Sequence, residues 1–333
     1  MKKSVFLSAV AALVLGTAAP ALADFKPAVI YDMGGKFDKS FNEGVWNGVK
    51  KFTEETGVEV MEFEVTNEAQ RSQAMQRMVD RGATVVLGVG FAQADAIASV
   101  SAENPDVLFS IIDVGWLSGD NLRQYVFKEH EGSYLVGVAA AMASETNKVG
   151  FVGGMDIPLI RKFACGYVGG VKSVSADATV YENMTGTTPA AWNDPAKGAE
   201  LTRSQIDRGA DVVYQAAGGT GVGVIQAAAD AGKLSIGVDS NQKGLAPGSV
   251  LTSMLKRVDV AAYETFMDAK NGSFTSGVQV LGVAEGGVDW ALDDNNGPLV
   301  SAEMKAAIEA ARADILSGKV VVHNYETDQN CPY

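Results

Sequence analysis

The sequence predicts an α/β protein of two similar lobes, each a parallel β-sheet flanked by helices, with a ligand cleft between the lobes. The segment DRGATVV at 80–86 recurs as DRGADVV at 207–213. The strand-like segments LFSIID and LSIGVD end in Asp113 and Asp239 at nearly the same offset. Short Val/Ile-rich segments alternate with longer helical stretches, which is typical of parallel sheets. At 333 residues the chain is long enough for two domains.

Residues 1–23 have the features of a cleavable secretory signal. Lys2 and Lys3 precede an apolar stretch at 5–16, and the pattern Ala21-Leu22-Ala23 predicts cleavage after Ala23. No later segment reaches the roughly 18 to 20 apolar residues that a membrane-spanning helix needs. No cysteine lies near the cleavage site, so a lipid anchor is not indicated. We therefore expect an exported, periplasmic protein.

The charge balance argues against nucleic acids and anionic membranes as partners. The whole chain has 27 Lys and Arg against 40 Asp and Glu, a net charge of −13. Loss of Lys2 and Lys3 with the signal leaves 25 basic residues against 40 acidic ones, a net charge of −15. A chain this acidic repels phosphate backbones and anionic headgroups.

The first lobe is predicted to span residues 24–127. Its expected strands lie near 27–32, 58–64, 84–89 and 107–112. Gly34 and Gly35 supply a turn after the first strand. The sequence SFNE at 40–43 then fits the capping box Ser-x-x-Glu. A helix with this serine as its N-cap is therefore expected to run to about Glu55.

Asp38, Phe41 and Asn42 lie where this first strand turns into the helix, at the predicted edge of the cleft. An aromatic ring there can lie against a flat ligand, an amide can pair with polar edges, and a carboxylate can accept N–H or O–H donors. The alternative is structural. Phe41 would then pack into the lobe, Asn42 would be a surface residue and Asp38 would form the turn.

The second lobe is predicted to span residues 128–256. Its expected strands lie near 148–153, 178–183, 211–216 and 234–238. Crossovers between the lobes are expected near 125–130 and 250–257. This arrangement puts a cleft between the C-terminal ends of both sheets, where open α/β sheets bind ligands. Closure of two lobes about a hinge is a recurring way to capture a small molecule.

A glycine-rich loop at 218–223 precedes the last of these strands. Gly-x-Gly begins at Gly219, but Val224 stands where a dinucleotide fingerprint needs its third glycine. Gly218 and Gly219 are instead candidate contacts, since glycine lets the backbone approach a ligand closely. A tight helix entry without ligand contact is the alternative. Asp239, at the end of the next strand, could bridge neighbouring sugar hydroxyls.

The C-terminal region is expected to divide between the lobes. Residues 257–285 would return to the first lobe, and residues 286–333 would complete the second. A hairpin is predicted around VAEGGVDWAL, followed by an amphipathic helix at about 301–316. In an oxidising compartment Cys165 and Cys331 could pair and tie down the tail. A free buried Cys165 with a loose tail is the alternative.

Several blocks of the chain resemble the basic membrane protein family of ABC-transporter substrate-binding proteins, of the purine nucleoside receptor type. In chain order these blocks are YDMGGKFDKSFNEGVWNGV, IIDVGW, KEHEGSYLVGVAAAMAS, VGFVGGMDIPLIRKFACGYVGGV, WNDPAKGAE, YQAAGGTGVGVIQAA, GVDSNQ and SMLKRVDVAAY. They cover nearly all of the chain after the predicted signal. The resemblance implies a type I periplasmic binding fold and a nucleoside ligand. Many members are lipoproteins, and this chain departs from them in lacking the lipobox cysteine.

The resemblance also implies roles for residues of the DKSFN block. Phe41 would stack on the base of the ligand, while Asp38 and Asn42 would form hydrogen bonds to it. The family holds its base between two aromatic rings, and two tryptophans are candidates for the second. Trp192 follows the second strand of the second lobe, whereas Trp116 lies close behind the IID strand.

Three further residues would face the cleft by the same resemblance. Asp113 and Asp239 would approach the ligand from opposite lobes, and Lys256 of the SMLK segment would reach the sugar. The three aspartates of the site face a single lysine, and like charges brought together are costly. Nucleosides should therefore be preferred over nucleotides.

Enzyme chemistry has little support in the sequence, and no cofactor or metal ion is expected. His130 and His323 are the two histidines, and they do not form a zinc-binding pair. Ser253 and Lys256 match Ser-x-x-Lys, but the Ser-Asp-Asn and Lys-Thr-Gly motifs that accompany it in acyl-enzymes are absent. A nucleoside hydrolase would need an activated water, and no acid run or metal-ligand spacing supplies one.

The sequence therefore predicts a periplasmic binding protein of an ABC importer that captures a nucleoside, with a purine favoured. Its partners would be a membrane permease and an ATPase, and contact with the membrane would be through the permease. A monomer is expected. The alternative is a sugar receptor of the ribose or galactose kind, which has the same fold and stacks its aromatic rings on a pyranose.

Overall fold

The computed structural model describes residues 25–294 and 296–333. The predicted signal at 1–23 lies outside the described residues. In the described part of the chain, no helix is both long and apolar enough to cross a bilayer. The predicted fold class is confirmed, because two sheets flanked by helices face each other across a cleft.

The described strands form two sheets of six. They are β1 (Pro27–Tyr31), β2 (Met61–Glu64), β3 (Val85–Gly88), β4 (Leu108–Ile112), β5 (Leu122–Phe127), β6 (Lys148–Met155), β7 (Thr179–Gly186), β8 (Val212–Ala216), β9 (Leu234–Asp239), β10 (Val250–Lys256), β11 (Gly277–Leu281) and β12 (Val288–Trp290). Sheet one has the order β11-β5-β4-β3-β1-β2 and is parallel throughout. Sheet two has the order β12-β10-β9-β8-β6-β7, and only β12 is antiparallel to its neighbour.

Helices cover both faces of each sheet. They are α1 (Phe41–Thr56), α2 (Gln70–Asp80), α3 (Ala94–Glu103), α4 (Glu129–Ala143), α5 (Pro158–Val174), α6 (Pro195–Asp207), α7 (Gly221–Asp230), α8 (Val258–Asn271) and α9 (Ala302–Leu316). Strand side chains alternate between faces. Val29 and Tyr31 of β1 therefore pack with α1, while Ala28 and Ile30 pack with α2 and α3.

The internal repeat appears as matching strand order. Five strands of sheet one, β5-β4-β3-β1-β2, correspond to five strands of sheet two, β10-β9-β8-β6-β7. Asp113 directly follows β4 and Asp239 ends β9, and both residues have left-handed backbone angles, with φ of 69° and 65°. The repeat thus delivers one aspartate from each sheet to the cleft in the same backbone conformation.

The two regions predicted as crossovers each contain the end of a strand and the point at which the chain changes sheet. Residues 122–127 form β5, which lies beside β4, and residues 250–256 form β10, which lies beside β9. Their polar residues hide the strand pattern, because Arg123, Gln124 and Ser253 are buried inside hydrogen-bond networks. The chain crosses between the sheets directly after each of these strands.

The predicted hairpin around VAEGGVDWAL is wrong. Its two strands belong to different sheets, since β11 pairs with β5 and β12 pairs with β10. The intervening residues 282–287 form a third crossing beside the other two. Lys128 N donates to Leu281 O at 3.0 Å, and Arg257 N donates to Gly287 O at 2.9 Å. Three neighbouring chain segments therefore connect the two lobes, and we call them the hinge.

The tail is fixed to the second lobe by a disulfide bond. Cys165 of α5 is bonded to Cys331, across a sequence separation of 166. The same helix packs closely on α4 through glycines. A Cβ atom at Gly170 would lie 2.0 Å from Tyr134 O, and one at Gly137 would lie 2.3 Å from Tyr167 O. This close contact, the seam between α4 and α5, fixes where the first residues of α4 lie relative to α5.

Candidate functional site

A cavity lies between the C-terminal ends of the two sheets. It encloses about 630 Å³ of empty space, counted to its open mouth and including the solvent there. Most of the residues predicted from the sequence lie on its wall. These are Asp38, Phe41, Asn42, Asp113, Trp192, Gly218, Asp239 and Lys256.

Asp38 caps the first helix. Its carboxylate accepts hydrogen bonds from the backbone N–H groups of Ser40 at 2.9 Å, Asn42 at 3.0 Å and Glu43 at 3.1 Å. Burial raises the pKa of this carboxyl to about 6, although the three N–H groups oppose the shift. Asp38 therefore holds the N-terminus of α1 at the cavity wall and satisfies donors that the helix leaves free.

Ser40 occupies the N-cap position of α1 as predicted, but the predicted capping box is wrong, because the serine side chain makes no hydrogen bond to the helix. Its hydroxyl instead donates to the carboxylate of Asp239, which belongs to the other sheet. A second bond crosses the cleft nearby, where Gln242 Nε2 donates to Lys39 O at 2.7 Å. These contacts join the two lobes at one side of the cavity.

Asn42 holds a loop in place. Its Nδ2 donates to Asp32 O at 3.3 Å and to Gly35 O at 3.2 Å, and its Oδ1 accepts from Asp32 N at 3.2 Å. Both amide donors are therefore used within the protein. Asn42 is 2% exposed, so the surface alternative is wrong, and its amide fixes the turn between β1 and α1.

Two of the predicted aromatic residues lie on the cavity wall. Phe41 is half-buried, with Lys256 Nζ 5.1 Å from its ring centroid. Trp192 is also half-buried, and its ring covers Gly154 so closely that a Cβ atom there would lie 2.2 Å from a ring carbon. Because Gly154 has no side chain, the indole ring packs directly on its backbone.

Two further aromatic residues on the wall were missed. Phe91 follows β3, and Phe163 lies on α5, 5.6 Å from Lys256 Nζ to its ring centroid. Phe163 belongs to a block that carries the family resemblance, but helical spacing alone does not distinguish a cleft residue from a core residue. The position of Phe91 after a strand was the available signal.

Asp113, Asp239 and Lys256 form the charged side of the cavity. Lys256 Nζ donates to Asp113 Oδ1 at 2.7 Å. Burial raises the pKa of Asp113, and it raises the pKa of Asp239 to about 7 despite the opposing charge of Lys256. The carboxylates raise the pKa of Lys256 in turn. The lysine therefore stays charged while Asp239 can bind a proton near neutrality.

Asp32 is a fourth carboxylate on the wall and was missed by the sequence reasoning. It follows β1, is 8% exposed and pairs with Arg71 of α2 at 3.1 Å from Oδ1 to Nη2. Burial raises its pKa against the effect of Arg71. Its position after a buried strand matches that of Asp113, which is the signal that could have found it.

Glu129 and Lys162 lie behind the charged side and were also missed. Glu129 is fully buried, with its Oε1 2.9 Å from Lys256 Nζ and its Oε2 2.7 Å from Lys162 Nζ. Burial alone would raise the pKa of Glu129, but the two lysines hold it at about 2. The charge of Lys256 is thus shared between Asp113 and Glu129.

The remaining two predicted residues do not lie on this wall. Gly219 sits behind it, where a Cβ atom would be 3.2 Å from Trp192 O. Trp116 is 68% exposed and borders a separate groove beside Val278 and Val280 of β11. Of the two tryptophans considered, Trp192 is the one that the structure brings to the cavity.

The cavity combines flat rings with buried carboxylates and one lysine. Rings can stack on a planar group, and the carboxylates can accept hydrogen bonds from hydroxyl or amine donors. Among residues 25–294 and 296–333, no group of three or more His, Cys, Asp or Glu side chains could hold a metal ion. The arrangement is suited to binding a neutral, planar, hydroxyl-bearing molecule.

Residues 25–324 match the family model Bmp, described as ABC transporter substrate-binding protein PnrA-like. The chain belongs to this family. It is 33% identical over 329 residues to the ABC transporter nucleoside-binding protein BmpA of Lactococcus lactis subsp. cremoris, with 92% of this chain and 91% of the relative covered. It is 30% identical over 304 residues to basic membrane protein A of Borreliella burgdorferi, covering 89% of this chain and 87% of the relative.

Solved structures of ABC transporter solute-binding proteins resemble this chain in fold. An ABC transporter solute-binding protein from Aeropyrum pernix K1 superposes with a TM-score of 0.83 at 26% identity, covering 90% of this chain and 94% of that chain. One from Conexibacter woesei has a TM-score of 0.74 at 23% identity, covering 91% and 99%. The second likeness shows the shared fold alone.

Proposed function

We propose that this Bmp protein is exported and captures a nucleoside for an ABC importer. The observation that carries the proposal is the presence in one cavity of aromatic rings and of carboxylates at the ends of matching strands. Phe41 and Trp192 offer flat surfaces for a base, while Asp113 and Asp239 offer acceptors for sugar hydroxyls. The relative from Lactococcus lactis, named as nucleoside-binding, supports this ligand class.

The geometry supports a role for each of these residues. Phe41 stacks on the base, and Trp192 is the second ring. Asp239 accepts hydrogen bonds from the ribose when it is ionised, and Lys256 donates to a sugar oxygen from its place beside Asp113. The backbone at Gly218 approaches the ligand closely, with a left-handed φ of 58° that suits glycine.

A purine nucleoside without phosphate is the ligand we favour. A purine offers the larger face for stacking, which is worth about 1 to 3 kcal/mol per base. Asp32, Asp38, Asp113 and Asp239 line the cavity with Lys256 as the cationic side chain on its wall. A phosphate group there meets net negative charge, so we expect a nucleoside monophosphate to bind at least tenfold more weakly than its nucleoside.

The protein delivers its ligand intact to a permease and its ATPase, and it acts as a periplasmic monomer without catalysis. Support for binding without turnover comes from the charged side of the cavity. Asp113 and Glu129 are both tied to Lys256. Neither of these carboxylates is thus free to activate a water molecule.

The test is isothermal titration of the ligand-stripped protein with adenosine, guanosine, inosine, uridine, ribose and AMP, followed by chromatography of the recovered ligand. Tight binding of a purine nucleoside that is recovered intact would support the proposal. Binding of ribose alone would make the protein a sugar receptor. Recovery of free base would make it an enzyme. Equal affinity for AMP and adenosine would contradict the argument from charge.

A further inference from the structure

A row of alternating charges runs from the cavity wall to the C-terminal tail. In order, its members are Asp113, Lys256, Glu129, Lys162 and Glu326. Successive charged atoms lie 2.7, 2.9, 2.7 and 2.7 Å apart. Lys256, Glu129 and Lys162 are at most 4% exposed, so solvent screens these ion pairs weakly.

The two ends of this row differ in what they line. Asp113 and Lys256 are on the cavity wall, whereas Lys162 and Glu326 are not and border a second groove, which Asp113 and Glu129 also line. Lys162 Nζ also donates to Phe127 O at 3.2 Å, at the end of β5 where the chain crosses between the sheets. The row therefore passes through the hinge.

Glu129 is the member that links the two halves. It is a single carboxylate between two lysines, with one oxygen directed to each. Lys162 donates hydrogen bonds to Glu326 and to Phe127 O, and it forms an ion pair with Glu129. If Glu326 lost its charge, Lys162 would be neutralised by Glu129 alone and would draw that carboxylate away from Lys256. A buried charge whose partner is removed is costly, so its neighbours rearrange.

We propose that Lys162 and Glu326 are positioning residues for the ligand site. They hold Glu129 midway between the lysines, and Glu129 in turn holds Lys256 at the cavity wall. The tail is thereby part of the binding machinery, because the bond between Cys165 and Cys331 fixes it to the helix that carries Lys162. This inference rests on the proposed nucleoside-binding function.

The first test is the nucleoside affinity of Glu326→Gln, measured by titration at 20 °C. Without the Glu326 charge, Lys256 loses its second partner and pairs more tightly with Asp113, so we expect affinity to fall at least fivefold. Asp314→Asn is the matched control, because it breaks a lysine–carboxylate pair of similar length on the surface of α9. A purely structural role for Glu326 would change the melting temperature and leave the dissociation constant unaltered.

A double-variant cycle shows whether Glu326 acts through Lys162. Lys162→Gln interrupts the row, so adding Glu326→Gln to it should weaken binding no further than Lys162→Gln does alone. If Lys162→Gln does not fold, the comparison of Glu326→Gln with Asp314→Asn decides.

Two negative results have separate meanings. If the unaltered protein binds no nucleoside, the proposed function falls, and the inference falls with it. If the unaltered protein binds and Glu326→Gln binds equally well, or if the two substitutions act additively, the inference alone is overturned.

Discussion

At the scale of single residues, the strand-end aspartates and the aromatic at the start of α1 could be predicted, but their partners could not. Ser40 was predicted to cap α1 with its side chain, whereas the carboxylate of Asp38 does so in the structure. The choice between them depends on Asp239, which lies 199 residues beyond Ser40 and takes the serine hydroxyl. Glu129 was missed for the same reason, since its two lysines come from distant parts of the chain.

Phe41→Ala tests stacking on the base. We expect nucleoside binding to weaken by about 1 to 3 kcal/mol, the range for base–aromatic stacking, while the fold stays intact. Titration calorimetry with far-UV circular dichroism is the measurement. Phe37→Ala is the matched control, because Phe37 is nearby in sequence, 57% exposed and packed on Trp46. Unchanged affinity in Phe41→Ala would make Phe41 a packing residue.

Asp239 should make binding depend on pH. Its pKa of about 7 in the free cleft reflects burial, with Lys256 and Ser40 opposing the shift and with Asp38 and Asp113 adding to it. Sugar hydroxyls donate to the ionised form, so affinity should rise from pH 5.5 to 8, by at most about tenfold per unit below pH 7. Titration across this range is the measurement.

Asp239→Asn is the control for this pH dependence. It should bind weakly and lose the part of the rise centred near pH 7, leaving any contribution from Asp38, whose pKa is about 6. His130 does not contribute in this range, because burial and Lys162 lower its pKa to about 4. A rise that persists near pH 7 in Asp239→Asn would assign the titration to another group.

The raised pKa of Asp239 affects stability in the opposite direction to binding, because it favours the folded protein at low pH. The pKa of Asp239 is raised above its ordinary value of 3.8, so the folded protein binds this proton more tightly than the unfolded chain does. The contribution of Asp239 to the free energy of unfolding is therefore largest below about pH 4 and declines as the pH rises to about 7.

At the scale of helices and strands, local patterns predicted four strands of each repeat and the bounds of α1 and α9. They failed for β5, β10, β11 and β12. The first two carry buried polar side chains, so they lack an apolar signature. The last two pair with strands distant in sequence, and a short strand contains no information about which sheet it joins.

Gly170→Ala tests the seam between α4 and α5. The added methyl group would lie 2.0 Å from Tyr134 O, which is backbone and cannot rotate away. We expect the free energy of unfolding to fall by about 1 to 3 kcal/mol, as for other overpacked sites, measured by urea denaturation. Gly244→Ala is the control, since a Cβ atom there meets nothing within 4 Å. Equal stability of the two variants would show that α4 and α5 can move apart to admit the methyl group without loss of stability.

At the scale of the whole molecule, the repeat allowed two lobes and a cleft to be predicted from one chain. The positions of the lobes relative to each other could not be predicted, because they depend on contacts such as that of Gln242 with Lys39 O. The cysteine pairing also stayed open in the sequence, since two cysteines show that a bond is possible and not that their positions meet.

Replacing both Cys165 and Cys331 by serine tests how much the tail contributes. The bond closes a long loop in the unfolded chain, so its loss should lower the free energy of unfolding by about 2 to 5 kcal/mol. Urea denaturation with and without reductant is the measurement. The unaltered protein in reductant should approach the stability of the variant, and identical midpoints in all samples would contradict the contribution of the bond.

The three crossings at the hinge also determine the order in which the molecule can be completed. Sheet one acquires its edge strand β11 only when residues 277–281 are available, and sheet two acquires β12 later still. A chain emerging from its N-terminus therefore cannot finish its first lobe before it has made most of its second. Until then β5 presents an unpaired edge, which is open to pairing with other chains. Both sheets are completed only near the end of synthesis, so neither lobe can be obtained by cutting the chain at a single point.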